Sequence, residues 1–192
     1  MDRSEQKQQT RQRIVKAAVR GFRASGYGGI GVDGLAKEAG LTSGAFYVHF
    51  PSKSEAFQAA VDESLAELEH GIVHYQTNFG KTWWPQFVSF YLAKRTCGLA
   101  DSCGLQSLSP EVARSDAVAR AVFEQGLKRV ARAIVKGPRS PRAPRDLDAA
   151  CAALAALVGA VTLARAVNSA KLSAQIVASV GRGLLGDHWD GT

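Results

Sequence analysis

The sequence predicts an all-α fold. Apolar residues recur at spacings of three and four along most of the chain, whereas no long stretch alternates apolar and polar residues as a half-buried strand would. Clusters of glycine, proline and serine divide the chain into about nine helical segments. With 192 residues, 46% of them hydrophobic, the chain is long enough to bury a hydrophobic core that needs no disulfide bonds to stabilise it.

The first predicted helix is about Ser4 to Ser25, with Ile14, Ala18 and Phe22 on one apolar face. The glycine-rich run at 26–31 ends it. Residues 1–23 carry seven Lys and Arg residues against two acidic ones, so +5 of the net charge of +7 lies at this end. Lys and Arg bind a polyanion by releasing its counterions, which indicates nucleic acid. A solvated basic face is the alternative.

Two short helices follow, at about Val32 to Ala39 and Ser43 to His49. Gly40 supplies the left-handed residue that ends the first of them, and Thr42 is placed to cap the second. Two short helices joined by so tight a turn are typical of a helix-turn-helix, whose second helix enters the DNA major groove.

A fourth helix is predicted at about Lys53 to Tyr75, with one continuous apolar stripe. The remaining helices are predicted at about Trp83–Cys97, Asp101–Leu108, Ser109–Lys136, Asp146–Asn168 and Lys171–Leu185. Ser109-Pro110-Glu111 predicts the start of the longest of these, because serine caps and proline fits a first turn. The proline-rich stretch at 137–145 is predicted to be a linker.

The composition of the chain excludes several classes of protein. No stretch approaches the roughly 20 continuous apolar residues of a membrane span, and the polar start lacks the apolar run of a secretory signal, so we expect a cytoplasmic protein without membrane association. Cys97, Cys103 and Cys151 are odd in number and include no C-x-x-C pair, which predicts reduced thiols rather than disulfides or a zinc site. We expect no cofactor.

The residues around the predicted turn resemble the DNA-binding signature of the TetR family of bacterial repressors. The matching residues are Gly26-Tyr27, Val32-Asp33, Leu35-Ala36, Ala39-Gly40-Leu41, Gly44-Ala45-Phe46-Tyr47, His49-Phe50, Ser52-Lys53 and Phe57. The resemblance implies a three-helix DNA-binding domain at 1–52 and a helical ligand-binding and dimerisation domain at 53–192. It also implies a repressor that binds palindromic operator DNA as a homodimer and is released by a small aromatic or apolar effector.

The DNA-binding residues that follow from the resemblance and the basic N-terminus are Arg11, Arg13, Thr42, Ser43, Gly44, Ala45, Tyr47, His49 and Lys53. Tyr47 and Lys53 resemble the family's phosphate contacts, and residues 42–45 are expected to face base edges. For Arg11 and Arg13, solvent exposure is the alternative. The chain departs from the family at Ile30 and Gly31, where family members commonly place hydroxyl side chains, so one phosphate contact is in question.

The predicted ligand-binding residues form an aromatic cluster with one thiol, namely Trp83, Trp84, Phe87, Tyr91, Cys103 and Phe123. An ordinary packed core is the alternative for these rings, and a packed thiol or a thiol sensor are the two interpretations of Cys103. The last two helices combine apolar stripes with many alanines, which suits the family's four-helix dimer interface or burial inside the monomer.

The sequence leaves two alternative functions. Glu67 and His70 have the Glu-x-x-His spacing of a di-metal helical-bundle enzyme, but neither His49 nor His188 has a glutamate three residues before it to complete such a site. We therefore predict no metal and no enzyme. The second alternative is a DNA-binding regulator without a small-molecule effector.

Overall fold

The computed structural model describes residues 2–189, apart from the side chain of Arg95. The helices in these residues are α1 Arg3–Gly29, α2 Val32–Glu38, α3 Ser43–His49, α4 Lys53–Phe79, α5 Trp83–Ala93, α6 Gly104–Ala113, α7 Ala117–Lys136, α8 Leu147–Ala166 and α9 Ala170–Leu185. Short 3-10 turns lie at Gly80–Thr82, Lys94–Thr96, Leu99–Asp101 and Gly186–His188. No strand occurs in the described part of the chain, and the all-α prediction is confirmed.

The chain folds as two compact units. Unit 1 comprises residues 2–65 and 98–126, and unit 2 comprises residues 66–97 and 127–189. The helices α4 and α7 each contribute residues to both units. The predicted boundary after residue 52 divides the chain by function rather than by compactness, and it stays a prediction.

Unit 1 is built around α1, which contacts α2 and α6. Ile14, Ala18 and Phe22 are buried at successive positions four apart, as the apolar stripe predicts. The helix runs further than Ser25 because the chain kinks at Gly26, where φ is +72°, and then continues to Gly29. After the kink, the Tyr27 ring packs edge-on against Phe57 with centroids 5.0 Å apart.

The boundary between α6 and α7 differs from the prediction. Ser109-Pro110-Glu111 lies inside α6, and the Ser109 hydroxyl donates to the backbone oxygen of Leu105 one turn earlier. The residue that caps α7 is Asp116, whose carboxylate accepts the Ala119 N–H at 2.7 Å. The Ser-Pro-Glu pattern was misleading because its serine bonds back along a helix that had already begun.

Unit 2 places α5 against α8 and α9. Asp146 caps α8 by accepting the Ala149 N–H at 2.7 Å, and Ser169 caps α9 by accepting the Leu172 N–H at 3.2 Å. Both helices lie where they were predicted, with ends moved by at most two residues. The two caps explain why these boundaries were predictable, since Asp and Ser are preferred N-cap residues.

The helix α8 is the one helix in the described residues that is long and apolar enough to cross a membrane. Its mean hydropathy is 2.0 over an 18-residue window, and 39% of that window is buried. Core helices of soluble proteins have the same length and composition, so this feature by itself assigns no membrane span.

Candidate nucleic-acid interface

The turn between α2 and α3 is tight and closed by its own backbone. The Gly40 N–H donates to the Lys37 oxygen at 3.0 Å, and the Leu41 N–H donates to the Ala36 oxygen at 2.8 Å. Gly40 has a φ of +67°, a conformation that glycine adopts without the steric cost paid by other residues. The chain therefore reverses within a few residues, as the sequence predicted.

The start of α3 is fixed by a side-chain cap. The Thr42 hydroxyl oxygen accepts the Ala45 N–H at 3.2 Å, as expected from its place before the helix. The hydroxyl of Ser43 donates to a carboxylate oxygen of Asp33 on α2. This bond ties α2 to α3 across the turn, and sequence reasoning missed it because ten residues and a chain reversal separate the two partners.

One face of α3 is buried and the other is exposed. Phe46 and Phe50 are almost fully buried and belong to the core. Thr42 and Gly44 are exposed, and Ser43 and Ala45 are half-buried. The residues predicted to meet base edges thus lie at the accessible N-terminal end of a short helix.

The two predicted phosphate contacts are Tyr47 and Lys53. The side chain of Tyr47 is 53% exposed, with its ring edge-on to Phe46 at 5.7 Å. The ammonium of Lys53 lies over the Tyr27 ring, 4.5 Å from its centroid. A cation held against an aromatic face is oriented without losing its charge.

His49 and Arg11 lie at the C-terminal end of α3. The guanidinium of Arg11 lies over the Phe50 ring at 4.7 Å. The Nδ1 atom of His49 is buried and has no hydrogen-bond partner among the described residues. Burial lowers the pKa of His49, and the nearby charges of Lys7 and Arg11 lower it further. The imidazole is therefore held in a locally positive environment.

Arg13 occupies a different environment from Arg11. Its Nη2 atom donates to the backbone oxygen of Ala39 at 2.7 Å, so part of its guanidinium is engaged within the protein. The assignment of Arg13 to DNA stays a prediction. Sequence reasoning could not have found this bond, because a basic residue on α1 looks the same whether it faces solvent or the turn.

A short recognition helix with one buried and one exposed face, joined to its partner by a tight turn, defines the helix-turn-helix class of DNA-binding proteins. Residues 14–60 match the model of the bacterial regulatory proteins of the tetR family. This segment of the chain is similar to the TetR family, in agreement with the resemblance of its residues to that family's DNA-binding signature.

Curated relatives match the same part of the chain. The HTH-type transcriptional regulator SrpR of Pseudomonas putida is 42% identical over 62 residues, which is 32% of this chain and 29% of SrpR. The regulator AcrR of Shigella flexneri is 36% identical over 72 residues, or 38% of this chain and 34% of AcrR. The matches thus span about a third of these two relatives, and both are named as regulators rather than enzymes.

Solved structures match the fold over nearly the whole chain. A TetR-family regulator from Agrobacterium tumefaciens superimposes with a TM-score of 0.73 over 94% of this chain and 100% of its own, at 16% identity. The reduced form of E. coli NemR gives a TM-score of 0.70 over 90% of this chain and 95% of its own, at 19% identity. At such identities the likeness concerns the fold alone.

The predicted ligand-binding residues are divided between the two units. Trp83, Trp84, Phe87 and Tyr91 line up along α5 in unit 2 and are each at most 2% exposed. Within this row, the Trp84 and Phe87 rings stack at 5.9 Å and Phe87 lies 5.9 Å from Tyr91. Cys103 and Phe123 belong to unit 1 and are half-buried. The aromatic row of α5 is therefore continuous within unit 2, and the assignment of all six residues to a ligand stays a prediction.

The Glu-x-x-His face of α4 is exposed. Glu67, His70 and His74 are accessible to solvent, and the Nδ2 atom of Asn78 lies 3.1 Å from a ring nitrogen of His74. Among the described residues, no group of three or more His, Cys, Asp or Glu side chains is placed to hold a metal ion.

Proposed function

We propose that the protein is a ligand-responsive transcriptional repressor. It binds palindromic operator DNA as a homodimer and is released by a small aromatic or apolar effector, acting in the cytoplasm without membrane association. The single observation that carries the proposal is the exposed N-terminal face of α3, fixed by the Thr42 cap and the turn at Gly40. Such a face is what a recognition helix presents to a major groove.

The contacts to DNA divide into two kinds. Gly44 and Ala45 are small residues that let the helix approach base edges, and the Ala45 methyl suits a thymine methyl. Thr42 and Ser43 supply hydroxyls at the same end. Tyr47 and Lys53 hold phosphates, assisted by the guanidinium of Arg11 and the imidazole of His49. Phosphate contacts set the register of the protein on the duplex, and base contacts set its sequence preference.

The homodimer is supported by the surface of the last two helices. More than half of the apolar window of α8 is not buried in the chain, and Leu163 is 58% exposed. On α9, Leu172 is 43% exposed. A partner that covers these residues removes apolar area from water, worth about 25 cal/mol per Å². A second copy of the chain would bring the same face, as a two-fold interface requires.

The effector is supported by the aromatic row of α5. The Trp84 indole nitrogen is buried and has no hydrogen-bond partner among the described residues. A buried donor without a partner costs about 1–3 kcal/mol, which a ligand oxygen would recover. An aromatic or apolar ligand with one acceptor group fits such surroundings.

A second candidate is a DNA-binding regulator without an effector. It is favoured by the close packing of the α5 rings, since Trp83, Trp84 and Phe87 are each at most 1% exposed. Rings packed to this extent leave a ligand no surface unless neighbouring side chains move.

DNA binding is tested with the full chain and duplexes selected from a randomised pool. We expect dimers by light scattering, selection of an inverted repeat, and weaker binding at higher salt. Tyr47→Phe and Lys53→Gln should each weaken binding, whereas Lys171→Gln on the exposed start of α9 serves as a charge-matched control for Lys53. A monomeric chain that ignores duplexes at low salt would contradict the proposal.

The effector is tested by adding a panel of aromatic compounds to the protein bound to its selected duplex. At least one compound should release the DNA. Trp84→Phe keeps a ring but removes the indole donor, so it should weaken that response about ten-fold without changing DNA affinity. A panel that neither releases DNA nor raises the melting temperature of the protein would favour the second candidate.

A further inference from the structure

Arg13 lies on α1 and reaches the turn of the helix-turn-helix. Its Nη2 atom donates to the backbone oxygen of Ala39 at 2.7 Å. A Cβ atom at Gly40 would lie 3.0 Å from the same Nη2 atom. The guanidinium therefore rests directly on the turn that separates α2 from α3.

The carbonyl that Arg13 binds is one that α2 cannot satisfy. The last carbonyls of a helix have no partner within it, and they form the negative end of the helix dipole. Ala39 is the C-cap residue of α2, so a guanidinium at its oxygen satisfies an unpaired acceptor and stabilises the dipole. Hydrogen bonds that involve an ionised group are also stronger than neutral ones.

The bond also supplies what α2 lacks on its own. With seven residues, α2 is too short to be stable as an isolated helix, so its orientation depends on contacts made with the rest of unit 1. The backbone bonds of Gly40 and Leu41 close the turn from within, and the bond from Arg13 joins the turn to α1. Together with the bond from Ser43 to Asp33, it sets the angle of α3.

We propose that Arg13 is a positioning residue for DNA binding, which holds the turn at Ala39 and Gly40 so that α3 meets base edges at the correct angle. This inference rests on the proposed DNA-binding function. It gives Arg13 a different role from the phosphate contact that its position in the basic N-terminus suggested.

The two roles predict different behaviour of a lysine at this position. Lysine keeps the positive charge, so a phosphate contact would be largely retained. Its ammonium ends a shorter side chain than the Nη2 atom of arginine does, so the bond to the Ala39 oxygen would be weakened. A positioning residue affects sequence preference, because base contacts depend on the angle of α3, whereas a phosphate contact affects all duplexes alike.

The test uses the full chain, a duplex selected by the wild-type protein and a scrambled duplex of equal length and composition. Dissociation constants are measured by fluorescence anisotropy for the wild type, Arg13→Lys and Arg13→Gln, with Lys53→Gln as a phosphate-contact comparison. We expect both Arg13 variants to lower the preference for the selected duplex about ten-fold. Lys53→Gln should weaken both duplexes equally.

A second measurement needs no DNA. Amide hydrogen exchange of the free protein should show faster exchange at Gly40 and Leu41 in both Arg13 variants, with exchange in α8 unchanged as the control. If the wild type selects no duplex, the DNA-binding proposal fails, whereas the exchange rates still decide the role of Arg13 at the turn. Wild-type preference in Arg13→Lys, together with unaltered exchange at the turn, would overturn the inference.

Discussion

The helix-turn-helix and the aromatic row of α5 are held in place by different means. At the turn, the bonds from Thr42 and Arg13 are made to backbone groups and involve largely accessible side chains. In α5, the Trp83 and Trp84 rings are almost fully buried, and the Trp83 indole N–H donates to the Pro138 oxygen at 2.9 Å. One region depends on hydrogen bonds at an accessible surface, and the other depends on burial.

This difference separates the residues expected to determine DNA binding from those expected to determine stability. A surface fixed through its backbone can leave its side chains free for a partner, so Tyr47 and Lys53 can be changed with little effect on folding. A row of buried rings contributes to the core whether or not it also binds a ligand. Substitutions in α5 should therefore cost far more stability than substitutions in the helix-turn-helix.

The largest effect is expected for Trp83→Ala. The indole is fully buried and hydrogen-bonded, so its removal leaves a cavity and should lower the free energy of unfolding by about 3–5 kcal/mol. Urea unfolding at fixed protein concentration measures the change. Phe90→Ala on the same helix is the control: its ring is 46% exposed, so the loss should be well below that of Trp83→Ala. Equal losses would remove the distinction between buried and accessible rings in α5.

A smaller effect is expected for Gly40→Ala. The positive φ costs about 1–2 kcal/mol for a residue with a Cβ, and the new methyl group would press on the Arg13 guanidinium. The control is Gly71→Ala, because Gly71 lies inside α4 with open space at its Cβ position and alanine is the better helix former. Opposite signs of the two changes in urea unfolding are the expected result, and a stabilised Gly40→Ala protein would contradict it.

The sequence predicted the fold class, both helices of the helix-turn-helix and the cap at Thr42, because each depends on local spacing and on the chemistry of one residue. It failed at Ser109-Pro110-Glu111, where a start pattern lies inside α6. Local sequence patterns identify the residues that are able to cap a helix. They do not determine which of them is free to do so once the preceding turn has formed.

The residues of the candidate site that are expected to contact DNA could be predicted from the sequence. The hydrogen bonds that hold the helices of the site in place could not. Tyr47 and Lys53 could be named because the family resemblance fixes their positions. Tyr47 is exposed within α3 and Lys53 begins α4, and their contacts to DNA stay predictions. The bonds from Arg13 to Ala39 and from Ser43 to Asp33 join residues 26 and ten positions apart. Such bonds depend on the angle between helices, which no single segment of sequence specifies.

The third effect, smaller again, is expected for Thr42→Ala. Loss of the N-cap bond to the Ala45 N–H should lower the free energy of unfolding by about 1 kcal/mol. Thr42→Ser keeps the hydroxyl and should stay close to the wild type. Urea unfolding of both variants decides whether the turn region depends on a specific hydrogen bond. If serine fails to restore stability, the cap is not the reason for the threonine.

The smallest effect is expected from the protonation of His49. Burial, and then the charges of Lys7 and Arg11, lower the pKa of His49 below its ordinary value of 6.5 in the folded protein. The unfolded chain therefore binds this proton more readily, so the contribution of His49 to stability is complete above pH 6.5 and is lost as the pH falls through the lowered pKa.

The measurement is urea unfolding between pH 7.5 and 5.5. Over this range, His49→Gln should lose less stability than the wild type. The control is His70→Gln, at an exposed position on α4, which should follow the wild type. Parallel curves for all three proteins would show that burial and the neighbouring charges of Lys7 and Arg11 have no energetic consequence for His49.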